Sequence, residues 1–276
     1  MGIRYAEVIG DPIAHSKSPL IHNFWLRKLG IEGEYRATRV HFNDLPDLLE
    51  SRRRDPSWCG CNITIPHKRQ VVDLLDGFTA GAVAAGAVNC VYRRAEGLWG
   101  TNTDIDGIEA VFDSRIWRAN QVTLIGGGGA ARAALEVLRR RDTMEVFMLV
   151  RNPESARSLH ASFARSGSVH ALHDPRVSFT SSDYVINATP LGMAGMPPMP
   201  DEVLDGLARV ARHATVFDMV YSPPETELLS RAKSLSLDTV GGLDMLMEQA
   251  RGAFRLFFGQ PAPREYDPEL RRLLTS

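Results

Sequence analysis

Four stretches of this chain hold residue types that could do chemistry at their spacing. Residues 10–23 read GDPIAHSKSPLIHN, where Ser16 and Ser18 bracket Lys17 and Pro19 follows at once. A phosphate loop of the form G-x-x-x-x-G-K-[ST] needs a glycine before the lysine. Ser16 stands there, so that chemistry is not supported. A serine directly before a proline suits a helix N-cap, so Ser18 is expected to cap one. Both hydroxyls then face a helix N-terminus, whose unpaired N–H groups and partial positive charge favour an anion. Residues 60–70, GCNITIPHKRQ, place Thr64 and Lys68 around a strand-to-helix turn, with Pro66 in the first helical turn. Residues 86–92, GAVNCVY, put Asn89 on a strand, and residues 100–108, GTNTDIDGI, put Asp104 at the start of a helix. Polar side chains inside apolar β segments need partners. Asn62, Thr64 and Asn89 are of that kind, and a shared polar pocket at the strand ends would supply them. Plainer readings stand beside this one: Asp104 or Thr103 as a helix cap, and Lys68 as a surface lysine.

Val122–Ile125 reads as a short strand followed by Gly126, Gly127, Gly128 and Gly129, and Ala130-Ala131-Arg132 opens a helix. The pattern Gly126-x-Gly128-x-x-Ala131 fits a dinucleotide fingerprint with alanine in the third place. Glycines allow the tight turn and let backbone N–H groups approach a pyrophosphate. About 20 residues on, an acidic side chain ordinarily binds the ribose 2′-hydroxyl of NAD. The strand here ends Leu149-Val150-Arg151-Asn152, without a carboxylate. Arg151 at the tip can pair with a 2′-phosphate, which favours NADP.

The elements that must position these residues alternate. Strands are expected at Tyr5–Gly10, Glu34–Phe42, Cys59–Thr64 and Ala87–Tyr92. Helices are expected at Pro19–Leu29, Leu45–Arg54 and His67–Leu75, and a helical connector at Asp104–Ile116. A second strand–helix series begins near residue 120, and residues 241–258 read as one long helix. Alternation of this kind predicts an α/β architecture with parallel strands. GMAGMPPMP, residues 192–200, reads as a surface loop.

The composition bounds the partners. With 276 residues, 44% hydrophobic and 24% charged, the chain can bury a sizeable core. A formal net charge of −1, from 32 basic and 33 acidic residues, exerts no general pull on nucleic acid or anionic membrane. The run Arg52-Arg53-Arg54 reads as a solvated helix face. Three cysteines, Cys59, Cys61 and Cys90, cannot all pair and read as small buried hydrophobes. No His/Cys/Asp cluster offers a metal site. No apolar stretch has the length of a signal peptide or a membrane span, so a cytoplasmic location is expected.

In order along nearly the whole chain, eight segments resemble the shikimate dehydrogenase family. PIAHSKSPLIHN resembles P-I-x-H-S-x-S-P-x-x-H-N. GCNITIPHK, GAVNCV, GTNTD and GGGGAAR resemble the family's G-x-N-V-T-I-P-H-K, G-A-V-N-T, G-x-N-T-D and G-A-G-G-A-x-R. NATPLGM, DMVYSPPETELL and GGLDMLMEQARGAF follow. The resemblance implies a split N-terminal α/β substrate domain, residues 1–104 with 241–276, and a Rossmann-type NADP-binding domain, residues 105–240, with a cleft between them. It implies reversible, NADP-dependent reduction of 3-dehydroshikimate to shikimate, in chorismate and aromatic amino-acid biosynthesis. By position, Lys68 and Asp104 match the catalytic pair. Ser16 and Ser18 match the ligands of the substrate carboxylate, and Thr64, Asn89, Tyr221 and Gln249 those of its hydroxyls. Gly126, Gly127, Gly128, Gly129, Ala130, Arg151 and Asn152 match the NADP contacts, with Met219 and Gly242 along the nicotinamide. The expected partner is the small-molecule substrate, with no nucleic acid and no membrane, in a monomer or homodimer.

The chain departs from the family pattern in places. The 2′-phosphate loop, often N-R-T-x-x-[KR], keeps only its arginine in Val150-Arg151-Asn152-Pro153-Glu154-Ser155, which lowers the expected strictness for NADP. Ile105 stands where glycine is common, a change of packing. Rival readings are a quinate/shikimate dehydrogenase using NAD, a non-catalytic sensor of shikimate or quinate, and an NADP-binding module with an unrelated carbonyl substrate. Intact Lys68 and Asp104 argue against the sensor.

Overall fold

The computed structural model describes residues 2–115, 119–174 and 179–275. The chain divides into two compact units, Met1–Asp106 with Met247–Ser276, and Gly107–Leu246.

The first unit is built on β1 (Tyr5–Gly10), whose six residues are all buried. A strand covered on both faces belongs at the centre of a sheet. It pairs in parallel with β2 (Glu34–Arg39) on one side and β3 (Trp58–Ile63) on the other. Helix α1 (Ser18–Leu29) connects β1 to β2 and stops at Gly30, which takes the left-handed φ of 61° that glycine tolerates. Helix α2 (Leu45–Arg54) connects β2 to β3. Then β4 (Gly77–Phe78), α3 (Ala80–Ala85), β5 (Cys90–Arg94) and β6 (Gly97–Thr101) complete a six-stranded sheet in the order β2-β1-β3-β5-β6-β4.

Three expectations for this unit are corrected. The sheet is mixed, because β5 and β6 form a hairpin and β5 runs antiparallel to β3. The two-residue turn at Ala95 and Glu96, which the alternating pattern does not reveal, forces the reversal. Residues 67–75 do not form an α-helix: a turn leads into a short 3-10 segment, Gln70–Leu74. His67 explains this. Its ring is fully buried, with Nε2 2.8 Å from the Val40 carbonyl and Nδ1 3.2 Å from Gln70 Oε1, so the turn is pinned to β2's end. The arginine run is only in part a solvated face: Arg54 is exposed, but Arg52 Nε donates to buried Glu7 at 2.6 Å and Arg53 pairs with Asp76.

Helix α4 (Thr103–Asp113) carries the chain from the first unit into the second. The expectation that it reaches Ile116 lies outside the described residues. In the second unit strands and helices alternate, save that no helix stands between β9 and β10 among the described residues: β7 (Gln121–Ile125), α5 (Gly129–Arg140), β8 (Glu145–Val150), α6 (Pro153–Phe163), β9 (Val169–Ala171), β10 (Tyr184–Asn187), α7 (Asp201–Gly206), β11 (Thr215–Asp218), α8 (Glu227–Ser234) and β12 (Asp238–Val240). All neighbours are parallel, in the order β12-β11-β10-β7-β8-β9. Counted from β7 this is the Rossmann order 3-2-1-4-5-6, whose switch point lies between β7 and β10. The loop at 192–200 is irregular, yet Met199 is buried in this unit's core.

The last helices are α9 (Gly242–Phe258), whose residues from Met247 onward belong to the first unit, and α10 (Asp267–Thr275). Among the described residues no helix is long and apolar enough to cross a membrane.

Candidate active site

Lys68 and Asp104 meet in the first unit. Lys68 Nζ lies 2.5 Å from Asp104 Oδ2, with side-chain exposures of 16% and 8%. An ion pair this enclosed loses hydration and needs further hydrogen bonds to hold. The second carboxylate oxygen supplies one, accepting from Asn89 Nδ2 at 2.8 Å. Asn89 is not inside a strand as expected but one residue before β5. Its backbone is laddered all the same: its N–H donates to Thr101 and its carbonyl accepts from Ile63. Its side chain turns to the start of α4, where Oδ1 accepts from the Thr103 N–H at 2.7 Å and so fills the role of a cap. Thr103 Oγ1 reaches Gln249 Oε1 on α9 at 3.4 Å, and Gln249 is buried. The Lys68 carbonyl accepts from Val88 N, which fixes its backbone against the approach to β5.

Ser18 is not an N-cap. The first helical bond of α1 runs from Ile21 N to the Lys17 carbonyl, so Lys17 is the cap and Ser18 the first helical residue. Pro19, lacking an N–H, fits this place as well as the expected one. Ser16 Oγ accepts from Ser18 N at 3.3 Å, and Ser18 is buried while Ser16 is half-buried. Thr64 follows β3 directly and is half-buried, with its N–H on the Ile9 carbonyl.

Tyr35 belongs to the same network and has no counterpart among the sequence candidates. Its hydroxyl donates to Asn62 Oδ1 at 2.6 Å, and Asn62 Nδ2 donates to the Asn89 carbonyl at 3.3 Å. This orientation of the Asn62 amide follows from its partners, since a carbonyl cannot donate. Burial pushes the Tyr35 phenol well above its usual range, so it stays a donor. Its ring stacks on buried His22 with centroids 4.0 Å apart. Tyr35 sits in the segment EYRATR, where most neighbours are exposed, and nothing in that pattern marks it.

In the second unit the glycine turn leads directly into α5. Gly126 has a φ of 118°, and a Cβ there would meet Thr189 Cγ2 at 2.9 Å. Gly128 is the N-cap of α5, with no side chain capping the helix. A Cβ on Gly128 would meet nothing within 4 Å, and on Gly127 nothing nearer than 3.5 Å. Packing within the protein does not require glycine at these two positions. An N-terminus of α5 that is open and uncapped, beginning at Gly129 and Ala130, fits a pyrophosphate.

Arg151 is exposed at the end of β8, and its guanidinium has no hydrogen-bond partner among the described residues. Asn152 is the N-cap of α6, its Oδ1 accepting from Ser155 N at 3.3 Å. One turn on, Arg157 is paired with Glu154 at 2.5 Å. Met219 and Tyr221 follow β11, and both are half-buried. Buried Asp218 organises this segment, a second role that the sequence alone does not show. It accepts from Asn187 Nδ2 at 2.9 Å, Val220 N at 3.0 Å and Thr226 Oγ1 at 2.6 Å, and burial raises its carboxyl above the usual range. Gly242 is needed where it stands, because a Cβ would meet the Met219 carbonyl oxygen at 2.2 Å. Among the described residues no group of three or more His, Cys, Asp or Glu could hold a metal ion. Cys61 and Cys90 are free and buried, and Cys59 is free and half-buried.

Residues 8–91 match the family model described as the shikimate dehydrogenase substrate binding domain, and residues 242–267 match the shikimate 5′-dehydrogenase C-terminal domain. The chain is 46% identical to shikimate dehydrogenase (NADP(+)) of Sphingopyxis alaskensis over 99% of its own length and 97% of that protein's. It is 38% identical to the enzyme of the same name from Afipia carboxidovorans, over 97% and 95% of the two chains. The crystal structure of shikimate 5-dehydrogenase from Thermus thermophilus in complex with NADP(H) and shikimate superposes with a TM-score of 0.82. That chain is 32% identical, with 99% of this chain and 100% of that one covered. Similarity of this extent, along the segments that carry the Lys68–Asp104 pair and the glycine turn alike, places the chain in the shikimate dehydrogenase family.

Proposed function

We propose that this chain is an NADP-dependent shikimate dehydrogenase whose proton chemistry is done by Lys68, held by Asp104. The observation that supports the roles most directly is the 2.5 Å contact of these two side chains in a buried, hydrogen-bonded setting. NADPH, when bound, supplies the hydride that reduces the ring ketone of 3-dehydroshikimate. As negative charge develops on the ketone oxygen, the Lys68 ammonium donates a proton from Nζ to it, and solvent returns that proton to Lys68. Asp104 keeps the ammonium aimed with one oxygen while Asn89 holds the other. Asn89, Thr64 and Gln249 bind substrate hydroxyls, with Tyr221 as a further ligand. Ser16 and Ser18 bind the carboxylate at the start of α1. The open amides from Gly127 to Ala130 would hold the pyrophosphate of NADP, while Gly126, its N–H committed to the Leu149 carbonyl, makes the turn. Arg151 beside Asn152 meets the 2′-phosphate, while Met219 and Gly242 line the nicotinamide. The substrate domain corresponds to the first unit and the NADP domain to the second.

Initial rates of cofactor reduction with shikimate and with quinate, each paired with NADP and with NAD, test this reading. Shikimate with NADP should give the highest kcat/KM. A higher value for quinate, or for NAD, would refute the assignment of substrate or cofactor.

A further inference from the structure

Helix α10 lies along α1 and is held by two lysines, the N-cap of α1 and one in its last turn. At the N-terminal end, the Lys17 ammonium donates to the Leu274 carbonyl in the last turn of α10. Carbonyls there have no intrahelical partner and sit at the negative end of the helix dipole, so an ammonium is the partner they favour. Eleven residues on, Lys28 Nζ pairs with Glu269 at 2.7 Å and lies 4.6 Å from the centre of the Tyr266 ring. Phe24 meets the same ring edge-on, and Leu270 and Leu274 are fully buried. The C-terminal helix thus sets the register of α1, and the serines stand at the end of α1 that Lys17 anchors. Lys17 is itself the cap of that helix, between Ser16 and Ser18 in sequence.

We propose that Lys17 is a positioning residue for carboxylate recognition: by holding α10 it fixes the Ser16–Ser18 turn, and its charge is committed to the Leu274 carbonyl rather than to the ligand. This rests on the reading that the two serines bind the substrate carboxylate. Lys17→Met should raise KM for shikimate about tenfold, the loss of one charge-assisted hydrogen bond, with kcat and KM for NADP little changed. Lys17→Arg should restore most of the loss. The inhibition constant of a shikimate analogue with hydroxymethyl in place of the carboxylate should be the same for wild type and Lys17→Met.

A chain ending at Pro268 keeps the ammonium and removes the helix that holds it, leaving the new carboxylate far from Lys17. With thermal melting used to confirm folding, it should show the same rise in KM. A fall in KM would mean that the freed ammonium binds the carboxylate directly, which overturns the proposal. Replacing both Ser16 and Ser18 by alanine separates the two readings. If that raises KM while Lys17→Met does not, the positioning role is wrong and the serine reading stands. If neither raises it, the serine reading fails and takes the proposal with it. A fall in kcat for Lys17→Met matching the rise in KM would mark general damage and also count against the proposal.

Discussion

The two candidate binding regions of this chain are built in opposite ways. In the first unit, Lys68, Asp104, Asn89, Thr103 and Gln249 are joined side chain to side chain, and a second chain runs from Tyr35 through Asn62 to the Asn89 carbonyl. In the second unit, no side chain caps the helix that begins at the Gly126–Gly129 turn, and Arg151 stands exposed. A small polyol offers a few hydroxyls that must meet fixed donors and acceptors, which favours groups already locked by one another. A dinucleotide offers charged phosphates, which backbone N–H groups and a helix end can hold, provided no Cβ stands in the way. Substitutions in the first region should therefore damage the fold and the chemistry together. Those at Gly127, Gly128 and Arg151 in the second should weaken the ligand and spare the fold.

Two asparagines whose side chains accept from the N–H groups of helix starts give the largest contrast. Asn89→Ala would leave the Thr103 N–H without its acceptor and one oxygen of a buried carboxylate without its donor. It should cost about 3–5 kcal/mol of stability, the range for breaking a buried charged network. Asn152→Ala removes an exposed cap and should cost about 1 kcal/mol. Urea unfolding of both variants reads the difference, and equal costs would erase the contrast.

Acid should act on the first unit through His22. Its ring is completely buried, both nitrogens lack partners among the described residues, and desolvation lowers its pKa to about 3. The unfolded chain protonates near the ordinary value of 6.5, so below it the unfolded state holds more protons. Stability present above about pH 6.5 is lost as the pH falls toward about 3, by about 2 kcal/mol at about pH 5. Unfolding measured at about pH 8 and about pH 5 should show a smaller loss in His22→Leu than in wild type. An identical loss would show that His22 is not the group responsible.

The smallest effect belongs to the second unit. Arg151→Ala should weaken NADP binding by about tenfold, leave NAD binding nearly unchanged and leave the melting temperature where it is. Asn152 is occupied as a cap and Arg157 is paired with Glu154, so Arg151 has little help. Isothermal titration with the two cofactors decides, and equal weakening of both would remove Arg151 from the 2′-phosphate.

Where local chemistry decides, the sequence is readable. Four glycines between an apolar strand and an amphipathic helix admit few conformations, and the structure has the expected turn. Asn89 is legible as a polar residue in an apolar segment and Asp104 as a residue at a helix start, and the two are in contact. Where distant segments decide, it is not. The cap of α1 is Lys17 rather than Ser18 because the first helical bond starts one residue earlier. The helix expected after Pro66 is a turn because buried His67 is tied to the Val40 carbonyl, 27 residues away. Tyr35 carries no local signal, since its partner Asn62 lies 27 residues away and only the folded sheet brings it near.

The central claim is that the Lys68–Asp104 pair performs the proton step, and the kinetics of Lys68→Ala test it most directly. Steady-state oxidation of shikimate by NADP should show kcat lowered by roughly 10²–10⁴-fold, with KM for shikimate changed far less. A variant that keeps wild-type kcat and loses only KM would make Lys68 a binding residue and contradict the account.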